Sequence, residues 1–309
     1  MIEARRLHIL RAVADHRTVT AAAAALYLTP SAVSQQLTAL EQETGHRLVE
    51  RGTKGVRLTP AGEILLTHTN LVLAQLERAE AELAAYGSGA AGQVDLASFA
   101  TGIGLVVAPA LSRLGRTAPG IRVRVKDTEG DASLPMVLDR ETDVAVAVEY
   151  RGAPGEDDPR LTRVPLYAEP FDAVLPEGHR LAGADRVPLA ELAKDTWIGP
   201  FPGNPCHDVV VLACEHAGFE PRMRHFSDDF RAVLALASAG VGVALVPRSA
   251  LLGTDVGNSE GVAVHPVEGV APTRRVFAAV RRGAEDHPLI SPVLAALTEA
   301  ARRPTETAA

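Results

Sequence analysis

The sequence predicts a three-part α/β chain: a small N-terminal domain of short helices with a β-ribbon, one long helix, and a larger α/β region of two subdomains. Three observations support this fold class. An alanine-rich stretch precedes a second helix that begins at a threonine and a proline. The next helical stretch has no breaker after its first turn. Strand-like apolar runs then alternate with helical stretches, which is the order of a mostly parallel sheet with helices on both faces.

Length and composition fit a globular protein with more than one domain. The chain has 309 residues, and single domains usually hold about 100 to 200. Apolar residues make up 47% and charged residues 22%, the proportions of a soluble globular protein. The N-terminal string MIEARRLHILRAVADH is too charged for a signal peptide, and no long apolar run occurs. We therefore expect a cytoplasmic protein without a membrane partner.

The net charge of −7 is unevenly distributed along the chain. Residues 1–60 hold eight Lys or Arg against five Asp or Glu, which leaves 23 against 33 in the remainder. An acidic remainder disfavours non-specific wrapping on nucleic acid, so a local basic patch would set affinity and its salt dependence. An excess of basic over acidic residues is therefore found only in the N-terminal domain.

The first three elements are predicted to be short helices. Leu7, Leu10 and Val13 give the first helix a buried face. Thr20 is the predicted N-cap of the following alanine run, whose small bulk and high helix propensity allow close packing. Thr29 then caps a third helix with Pro30 at its first position, where a missing amide proton costs nothing.

The third helix has two different faces. Val33, Leu37 and Leu40 recur at i, i+4 and i+7 and predict its buried stripe. The opposite side carries uncharged hydrogen-bonding groups: Ser31, Ser34, Gln35, Thr38 and Gln42. Glutamine can pair with an adenine edge and serine with several bases, so this side suits the DNA major groove, as in a helix-turn-helix. The alternative is an ordinary solvated helix face.

A cationic β-ribbon is predicted next. Apolar residues flank a turn at 52–55 in the string HRLVERGTKGVRLTPAG. Arg51, Lys54 and Arg57 lie on or beside this ribbon. A ribbon that carries cations beside a recognition helix is a wing suited to phosphate or minor-groove contact. The wing therefore favours DNA binding over a merely solvated helix.

Residues 1–62 resemble the winged helix-turn-helix of LysR-type transcriptional regulators. The matching features are the alanine run with Leu26, the block LTPSAVSQQLTALE and the string LVERGTKGVRLTPAG. Val49 replaces the family's common aromatic residue, and Gln35 stands where many members carry Arg. The resemblance implies binding to double-stranded DNA at an interrupted palindrome near a promoter, and it leaves contact with the transcription machinery open. The residues predicted to contact DNA are Thr29, Pro30, Ser31, Ser34, Gln35, Thr38, Arg51, Lys54 and Arg57.

One long helix is predicted from Thr59 to Tyr86. Two series spaced by seven residues run along it: Leu65, Val72, Ala79 and Tyr86, and Thr69, Leu76 and Leu83. They form an a/d-like seam, which favours pairing with a second copy of the helix. This matches the dimerising linker helix of the family, whereas a lone solvent-bridging helix would not need the seam. We expect a homodimer, and a homotetramer through further pairing of the C-terminal domains.

The rest of the chain resembles the periplasmic-binding-protein-like effector domain of the same family, two Rossmann-like subdomains joined by two crossovers. Its landmarks are the strings ASAGVGVALVP and GRTAPGIRVRV. The predicted division is a DNA-binding domain at 1–58, a linker helix at 59–87 and an effector-binding domain at 93–303, after a hinge of small residues. Subdomain I covers about 93–163 and 268–303, and subdomain II about 164–267.

The resemblance implies a small-molecule effector in the cleft between the subdomains. Strand ends and helix starts in such a cleft present backbone amides that favour anions. The predicted contacts are Ser98, Thr101, Gly102, Thr128, Phe201, Asn204 and Asp228. Hydroxyl groups and amides favour a carboxylate, yet Asp228 could equally receive an amine. The hydroxyl groups could instead be plain helix caps.

Two cysteines raise the alternative of a thiol-based redox sensor, because peroxide-sensing members of the family keep a redox pair in this region. Eight residues on one helix would separate Cys206 from Cys214 by about 12 Å, beyond the roughly 7 Å limit for a disulfide. No Lys or Arg lies in the string CHDVVVLAC to stabilise a thiolate. His207 and His216 do not complete a metal site, since ligands along one helix point in different directions.

An enzyme is the alternative from another class. The pairs Gly102-x-Gly104 and Gly240-x-Gly242 are incomplete dinucleotide-binding patterns. No pattern joins a nucleophile to a base. A ligand-binding protein would share the C-terminal fold but would lack the first sixty residues. We therefore predict a regulator that is not an enzyme and that needs no cofactor and no metal.

Overall fold

A computed structural model describes residues 2–52, 55–86, 91–128, 132–251 and 261–307. The N-terminal domain consists of α1 (Ala4–His16), α2 (Val19–Ala25), α3 (Pro30–Thr44), β1 (Val49–Gly52) and β2 (Gly55–Leu58). Its core includes Ile9 and Leu10 of α1 together with the predicted stripe of α3. That stripe packs against the first two helices, which leaves the polar side of α3 outward.

Threonine caps determine where two of these helices begin. The Thr29 hydroxyl caps α3, as predicted. For α2 the prediction was wrong, because Thr18 rather than Thr20 is the N-cap. Thr18 has an extended backbone, and its hydroxyl accepts a hydrogen bond from the Ala21 amide at 3.1 Å. The helix therefore begins at Val19, and Thr20 lies within its first turn.

The β1–β2 hairpin forms the wing and is fixed to the helices. Glu41 on α3 accepts hydrogen bonds from the backbone amides of Leu48, at 2.8 Å, and Val49, at 3.3 Å. The Val56 amide donates to the Arg17 carbonyl at 2.7 Å. These contacts hold the wing against α3 and against the turn that follows α1.

A single helix, α4 (Pro60–Tyr86), follows the wing. One of its faces is buried within the same chain and includes Thr69, Leu73, Glu77 and Ala81. An adjacent stripe stays open, with exposed fractions of 43% for Val72, 39% for Leu76 and 73% for Leu83. The predicted seam is thus divided, because Thr69 packs within the chain while Val72, Leu76 and Leu83 remain on the surface.

Subdomain I begins after the predicted hinge, whose residues 87–90 lie outside the described ranges. Its strands are β3 (Gly92–Ser98), β4 (Ile121–Asp127) and β5 (Val144–Val148). Its helices are α5 (Ala100–Gly102), a π-helical turn at Ile103–Val107, α6 (Ala108–Thr117), α7 (Ser133–Leu138) and the last helix, α11 (Ile290–Thr307). β3 pairs in parallel with both β4 and β5, which is the predicted βαβαβ order.

Two long strands, β6 (Leu161–Pro176) and β11 (Thr273–Arg281), cross between the subdomains. Subdomain II contains a 3₁₀ turn at Leu189–Lys194, β7 (Thr196–Gly199), α8 (Pro205–His216), β8 (Arg222–Phe226), α9 (Phe230–Ser238), β9 (Ala244–Pro247), α10 (Arg248–Leu251) and β10 (Val262–Pro266). One sheet runs in the order β10-β6-β11-β5-β3-β4, with β9 also on β6, and β7 pairs separately with β8.

The sheet is less parallel than the sequence predicts. β11 runs antiparallel to both β5 and β6, and β9 and β10 run antiparallel to β6. The reason is that β6 leaves subdomain I while β11 returns to it, so the two crossing strands lie side by side in opposite directions. Within the described ranges, every helix is too short or too polar to cross a bilayer.

Candidate functional site

The uncharged side of α3 faces solvent. Ser31, Gln35 and Thr38 are exposed, and Ser34 is half-buried between them. The neighbouring Gln36 has a different task, because its side-chain oxygen accepts a hydrogen bond from the Arg6 guanidinium of α1 at 3.1 Å. The helix therefore separates a structural glutamine from Gln35, which is available to an outside partner.

The wing places one arginine against this face. Arg51 Nη2 donates to Ser34 Oγ at 3.2 Å, so the guanidinium lies beside the N-terminal half of α3. Arg57 is exposed on the paired strand β2, and the predicted contact Lys54 lies outside the described ranges. Thr29 and Pro30 are exposed at the start of α3. An outward polar helix face and a wing cation thus lie side by side.

A cavity of about 760 Å³ lies between the two effector subdomains. It is bounded by the helical run that starts at α5 and by the starts of α8 and α9. Its polar side chains are Thr101, Asp127, Asn204, Asp228, Asp229, Arg231, Ser249 and Arg274. Both signs of charge are present, so the cavity offers donors and acceptors to a bound molecule.

A buried arginine lies on the floor of the cavity. Arg274 Nε donates to Glu169 Oε1 at 2.7 Å, which joins the two crossing strands. Arg274 Nη2 donates to Thr101 Oγ1 in subdomain I at 2.8 Å and to Ser249 Oγ at 3.2 Å. Burial by itself would lower the pKa of Arg274, but the Glu169 carboxylate raises it above its ordinary value. The guanidinium therefore stays charged while it contacts both halves of the domain.

The helix starts around the cavity differ in their caps. The Asn204 side chain accepts from the Cys206 amide at 2.9 Å, and the Asp229 side chain accepts from the Arg231 amide at 2.8 Å. Phe99, which precedes α5, makes no side-chain cap bond. The first amides of a helix have no partner inside it, so the run that begins at α5 is suited to receive an acceptor from a ligand.

Three predicted contacts line the cavity: Thr101, Asn204 and Asp228. The Asp228 carboxylate accepts hydrogen bonds from the Phe201 amide and from Asn204 Nδ2, both at 3.0 Å. These bonds hold the loop before α8 against the loop before α9. The carboxylate is thus positioned by the protein before any ligand arrives.

The other four predicted contacts lie outside this lining. Ser98 is fully buried, and its hydroxyl lies 3.3 Å from a backbone carbonyl oxygen. Gly102 is packed so closely that an added Cβ would lie 2.8 Å from Ser98 Oγ. The Thr128 hydroxyl contacts a methionine sulfur at 3.9 Å. Phe201 stacks on Phe226, with ring centroids 5.6 Å apart, and is half exposed.

Sequence reasoning missed Glu169, Ser249 and Arg274 as a group. The residues are far apart in the chain, and only the crossing strands bring them together. One signal was available, because Arg274 and Arg275 begin the strand-like run RRVFAAV, and a charge that a strand buries is usually paired.

The two cysteines have different surroundings on α8. Cys206 lines the cavity, and Arg274 Nη1 lies 3.5 Å from its sulfur. The string CHDVVVLAC holds no Lys or Arg, and the cation beside Cys206 comes instead from a distant strand. Cys214 is fully buried in the apolar core of subdomain II, and burial raises the pKa of its thiol to about 12.

A winged helix with an outward polar helix, joined by a long helix to a two-subdomain unit with a central cavity, is the architecture of a ligand-responsive DNA-binding regulator. Residues 4–63 match the family described as bacterial regulatory helix-turn-helix protein, lysR family, and residues 87–302 match the LysR substrate binding domain. The chain belongs to the LysR family of transcriptional regulators, whose members bind DNA and small-molecule effectors and form oligomers.

Individual relatives agree with this assignment. The chain is 32% identical over 248 residues to a Mycobacterium avium protein named "Probable hydrogen peroxide-inducible genes activator", covering 78% of this chain and 76% of the relative. It is 32% identical over 250 residues to the regulator ShiR of Corynebacterium glutamicum, covering 79% and 82%.

Solved structures share the fold. An H2O2-bound OxyR mutant from Corynebacterium glutamicum superposes with a TM-score of 0.62 at 24% identity, covering 99% of this chain and 94% of that one. Full-length CbnR complexed with its target DNA superposes with a TM-score of 0.55 at 24% identity, covering 97% and 100%.

Proposed function

We propose that the chain is a cytoplasmic, non-enzymatic regulator that binds an interrupted palindrome near a promoter, and that an effector in the cleft changes this binding. The observation that carries the proposal is the outward polar face of α3 with Arg51 against Ser34. In this arrangement the α3 side chains read base edges, and the wing cations bind the flanking phosphates.

The proposed oligomer pairs two copies through the open stripe of α4. Val72, Leu76 and Leu83 are exposed apolar side chains on one side of a long helix, and a second copy would bury them. Two-fold pairing presents two recognition helices to two half-sites, whose centres are one or more helical turns of DNA apart. A further contact between effector domains would give the tetramer.

The proposed effector is a small carboxylate. Its acceptor oxygens would meet Thr101, the amides at the start of α5 and the charged Arg274, while Asn204 and Asp228 contact the rest of the molecule. The other four predicted residues would support these contacts without lining the cavity: Ser98, Gly102, Thr128 and Phe201. Closure of the subdomains on the ligand would then change the balance between assembled states.

The test is footprinting of the full-length protein on DNA from immediately upstream of its own coding sequence, at two salt concentrations. We expect protection of an interrupted palindrome that weakens as salt rises. Protection that is absent, or independent of sequence at both salts, would contradict the proposal. Once a protected site is known, candidate carboxylates can be screened by the thermal stabilisation that a bound ligand confers.

Replacement of one α3 side chain is expected to change specificity, whereas replacement of a wing cation is expected to change affinity alone. Gln35→Ala should reduce discrimination at one base pair by about 1 to 3 kcal/mol, because a bidentate base contact is lost. Arg51→Ala should weaken binding to all sequences alike and reduce the salt slope by about 1. Competition titrations with single-base operator variants at several salt concentrations measure both effects.

Matched controls use the same chemical changes elsewhere. Gln93→Ala removes an exposed glutamine from β3 of subdomain I, and Arg116→Ala removes an exposed arginine from α6. Both should bind DNA like the parent protein. A Gln35→Ala variant that loses affinity equally for every sequence, or that unfolds, would show that this face does not read bases.

A thiol-based response is the second candidate function, and the Arg274 contact with Cys206 favours it. A guanidinium beside the sulfur stabilises a thiolate, which can attack one oxygen of H2O2, so that an S–O bond forms, the O–O bond breaks, the sulfur becomes a sulfenic acid and hydroxide leaves. The peroxide-related name of the Mycobacterium avium relative supports the same candidate. Cys214 is eight residues further along the intact helix α8, so a disulfide between the two would require α8 to unwind.

We therefore expect Cys206, and not Cys214, to form a sulfenic acid when the protein is treated with H2O2. Dimedone labelling followed by mass spectrometry should find the adduct at Cys206, and Cys206→Ser should abolish it. Cys214→Ser is the matched control and should leave labelling at Cys206 unchanged, since burial keeps the Cys214 thiol protonated. Equal labelling of both residues, or none at Cys206, would exclude the redox candidate.

A further inference from the structure

The C-terminal end of α1 is tied to effector subdomain I by an ion pair and by a histidine–carboxylate contact. The Arg160 guanidinium, just before β6, pairs with Asp15 of α1 and with Asp158 of its own loop. His16 Nε2 lies 3.0 Å from the Asp139 carboxylate, just after α7. Two adjacent residues of the DNA-binding domain thus contact two separate segments of subdomain I.

The linker helix is tied to the same subdomain. Glu77 of α4 pairs with Arg281 at 3.2 Å and with Arg140, and only 9% of its side chain is exposed. Next to this pair, Gly283 packs directly on α4, where an added Cβ would lie 2.2 Å from the Ala74 carbonyl oxygen. The two contact regions therefore form one surface, here called the ionic junction: Asp15, His16, Glu77, Arg140, Arg160 and Arg281.

Most groups in the junction are partly withdrawn from water, with exposed side-chain fractions of 9% for Glu77, 10% for Arg281 and 18% for Asp15, against 41% for Arg140. Burial raises the pKa of Asp15, although Arg160 acts in the opposite direction, and burial followed by the charge of Arg11 lowers the pKa of the neighbouring His8 to about 4. The contacts are nevertheless ionic rather than apolar. A junction of paired charges can separate without exposing a large apolar surface, as interfaces between movable domains do.

The junction is connected to the effector cleft through both crossing strands. On β11, Arg274 lies at the cleft and Arg281 lies at the junction, seven residues or about 23 Å away. On β6, Glu169 pairs with Arg274 at the cleft, and the strand begins next to Arg160 at the junction. Each crossing strand therefore has a charged anchor at both sites.

We propose that the ionic junction is a docking surface within one chain, which holds the DNA-binding domain and linker helix against subdomain I and couples their position to the effector cleft. The coupling rests on the proposed function, because it assigns a role to the cleft. The docking does not rest on the proposed function, and it can be measured without DNA or effector.

Carboxylate labelling of the full-length protein tests the docking. Glu77 should react slowly with a carbodiimide and glycine ethyl ester, whereas the exposed Glu82 on the same helix serves as an internal reference. Asp15→Ala combined with His16→Ala removes both α1 contacts without touching Glu77, and alanine favours the helix. We expect labelling of Glu77 to rise about fivefold relative to Glu82 in this variant.

The matched control is Asp95→Ala, which removes a carboxylate that pairs with Arg124 wholly within subdomain I. It should label like the parent protein. Raising the salt concentration should also speed Glu77 labelling in the parent, a measurement that needs no variant to fold. Glu77 labelling within twofold of the parent in the double variant, or insensitive to salt, would overturn the docking.

A variant of the cleft tests the coupling. Gly104 lines the cavity, and a Cβ there meets no atom within 4 Å, so Gly104→Leu adds bulk where a ligand would lie. Gly115→Leu is the control, since it is equally open but lies on α6 outside the lining. We expect Gly104→Leu alone to change Glu77 labelling at least about threefold. Equal labelling in both variants would overturn the coupling, whereas the absence of a sequence-specific footprint of the parent protein would instead count against the proposed function.

Discussion

Leu76→Glu is expected to leave the protein folded but monomeric, and to lower its affinity for a two-half-site DNA by about 10²–10⁴-fold. Leu76 lies in the open stripe of α4 between Val72 and Leu83. Pairing of two such helices would bury the substituted carboxylate without a partner, which costs more than the pairing gains. Each monomer would still bind one half-site, but the second half-site would no longer be held at a high effective concentration.

Two measurements distinguish this result from simple unfolding. Sedimentation gives the oligomeric state, and binding to one half-site compared with the full palindrome gives the loss of avidity. Thr67→Glu adds the same charge nine residues away, which is about half a turn around the helix axis, on an exposed position. This control should remain oligomeric. A Leu76→Glu protein that stays dimeric and binds the palindrome fully would place the dimer contact elsewhere.

The sequence predicts the N-terminal domain well because its determinants are short-range. The buried stripe of α3 follows from residues spaced three and four apart, and the Thr29 cap lies directly before the helix that it starts. The error at α2 also arises locally, since two threonines two positions apart are both suitable caps. Thr18 is the one used, and the adjacent Arg17 carbonyl accepts from the Val56 amide of the wing, a contact that local sequence does not reveal.

The long helix shows a different limit. Heptad spacing finds an apolar seam but does not say what covers each part of it. Thr69 and the neighbouring buried face pack within the chain, and part of this face, Glu77 and Ala74, meets Arg281 and Gly283, which lie some two hundred residues further along. Only the stripe that remains open is available to a second copy.

The cleft is predicted least completely, for a related reason. Thr101, Asn204 and Asp228 follow strand ends and helix starts, so sequence order finds them. The Glu169–Arg274 pair belongs to two strands that meet in opposite directions, and the prediction of a mostly parallel sheet could not align them. Long-range antiparallel pairing therefore determines the electrostatics of the cavity floor.

The second large expected effect is a loss of stability when the Glu169–Arg274 pair is broken. Arg274→Met is expected to destabilise the effector domain by about 3 to 5 kcal/mol, because it keeps most of the side-chain volume but leaves Glu169 buried without its cation. Total stabilities are typically about 5 to 15 kcal/mol, so a large share would be lost. Urea unfolding of the full-length chain measures the change, with Trp197 as the reporter, since it is the chain's single tryptophan and is fully buried in subdomain II.

The double variant Arg274→Met with Glu169→Gln isolates the charge. Glutamine keeps one oxygen, which can accept from the Ser249 amide as Glu169 Oε2 does, and its Nε2 replaces Oε1 and can donate to the Ser249 hydroxyl oxygen instead. We expect it to recover more than half of the lost stability, since no unpaired charge remains. A single variant as stable as the parent at neutral pH would show that Arg274 does not hold the cavity floor together, and its role would then be limited to contact with the effector.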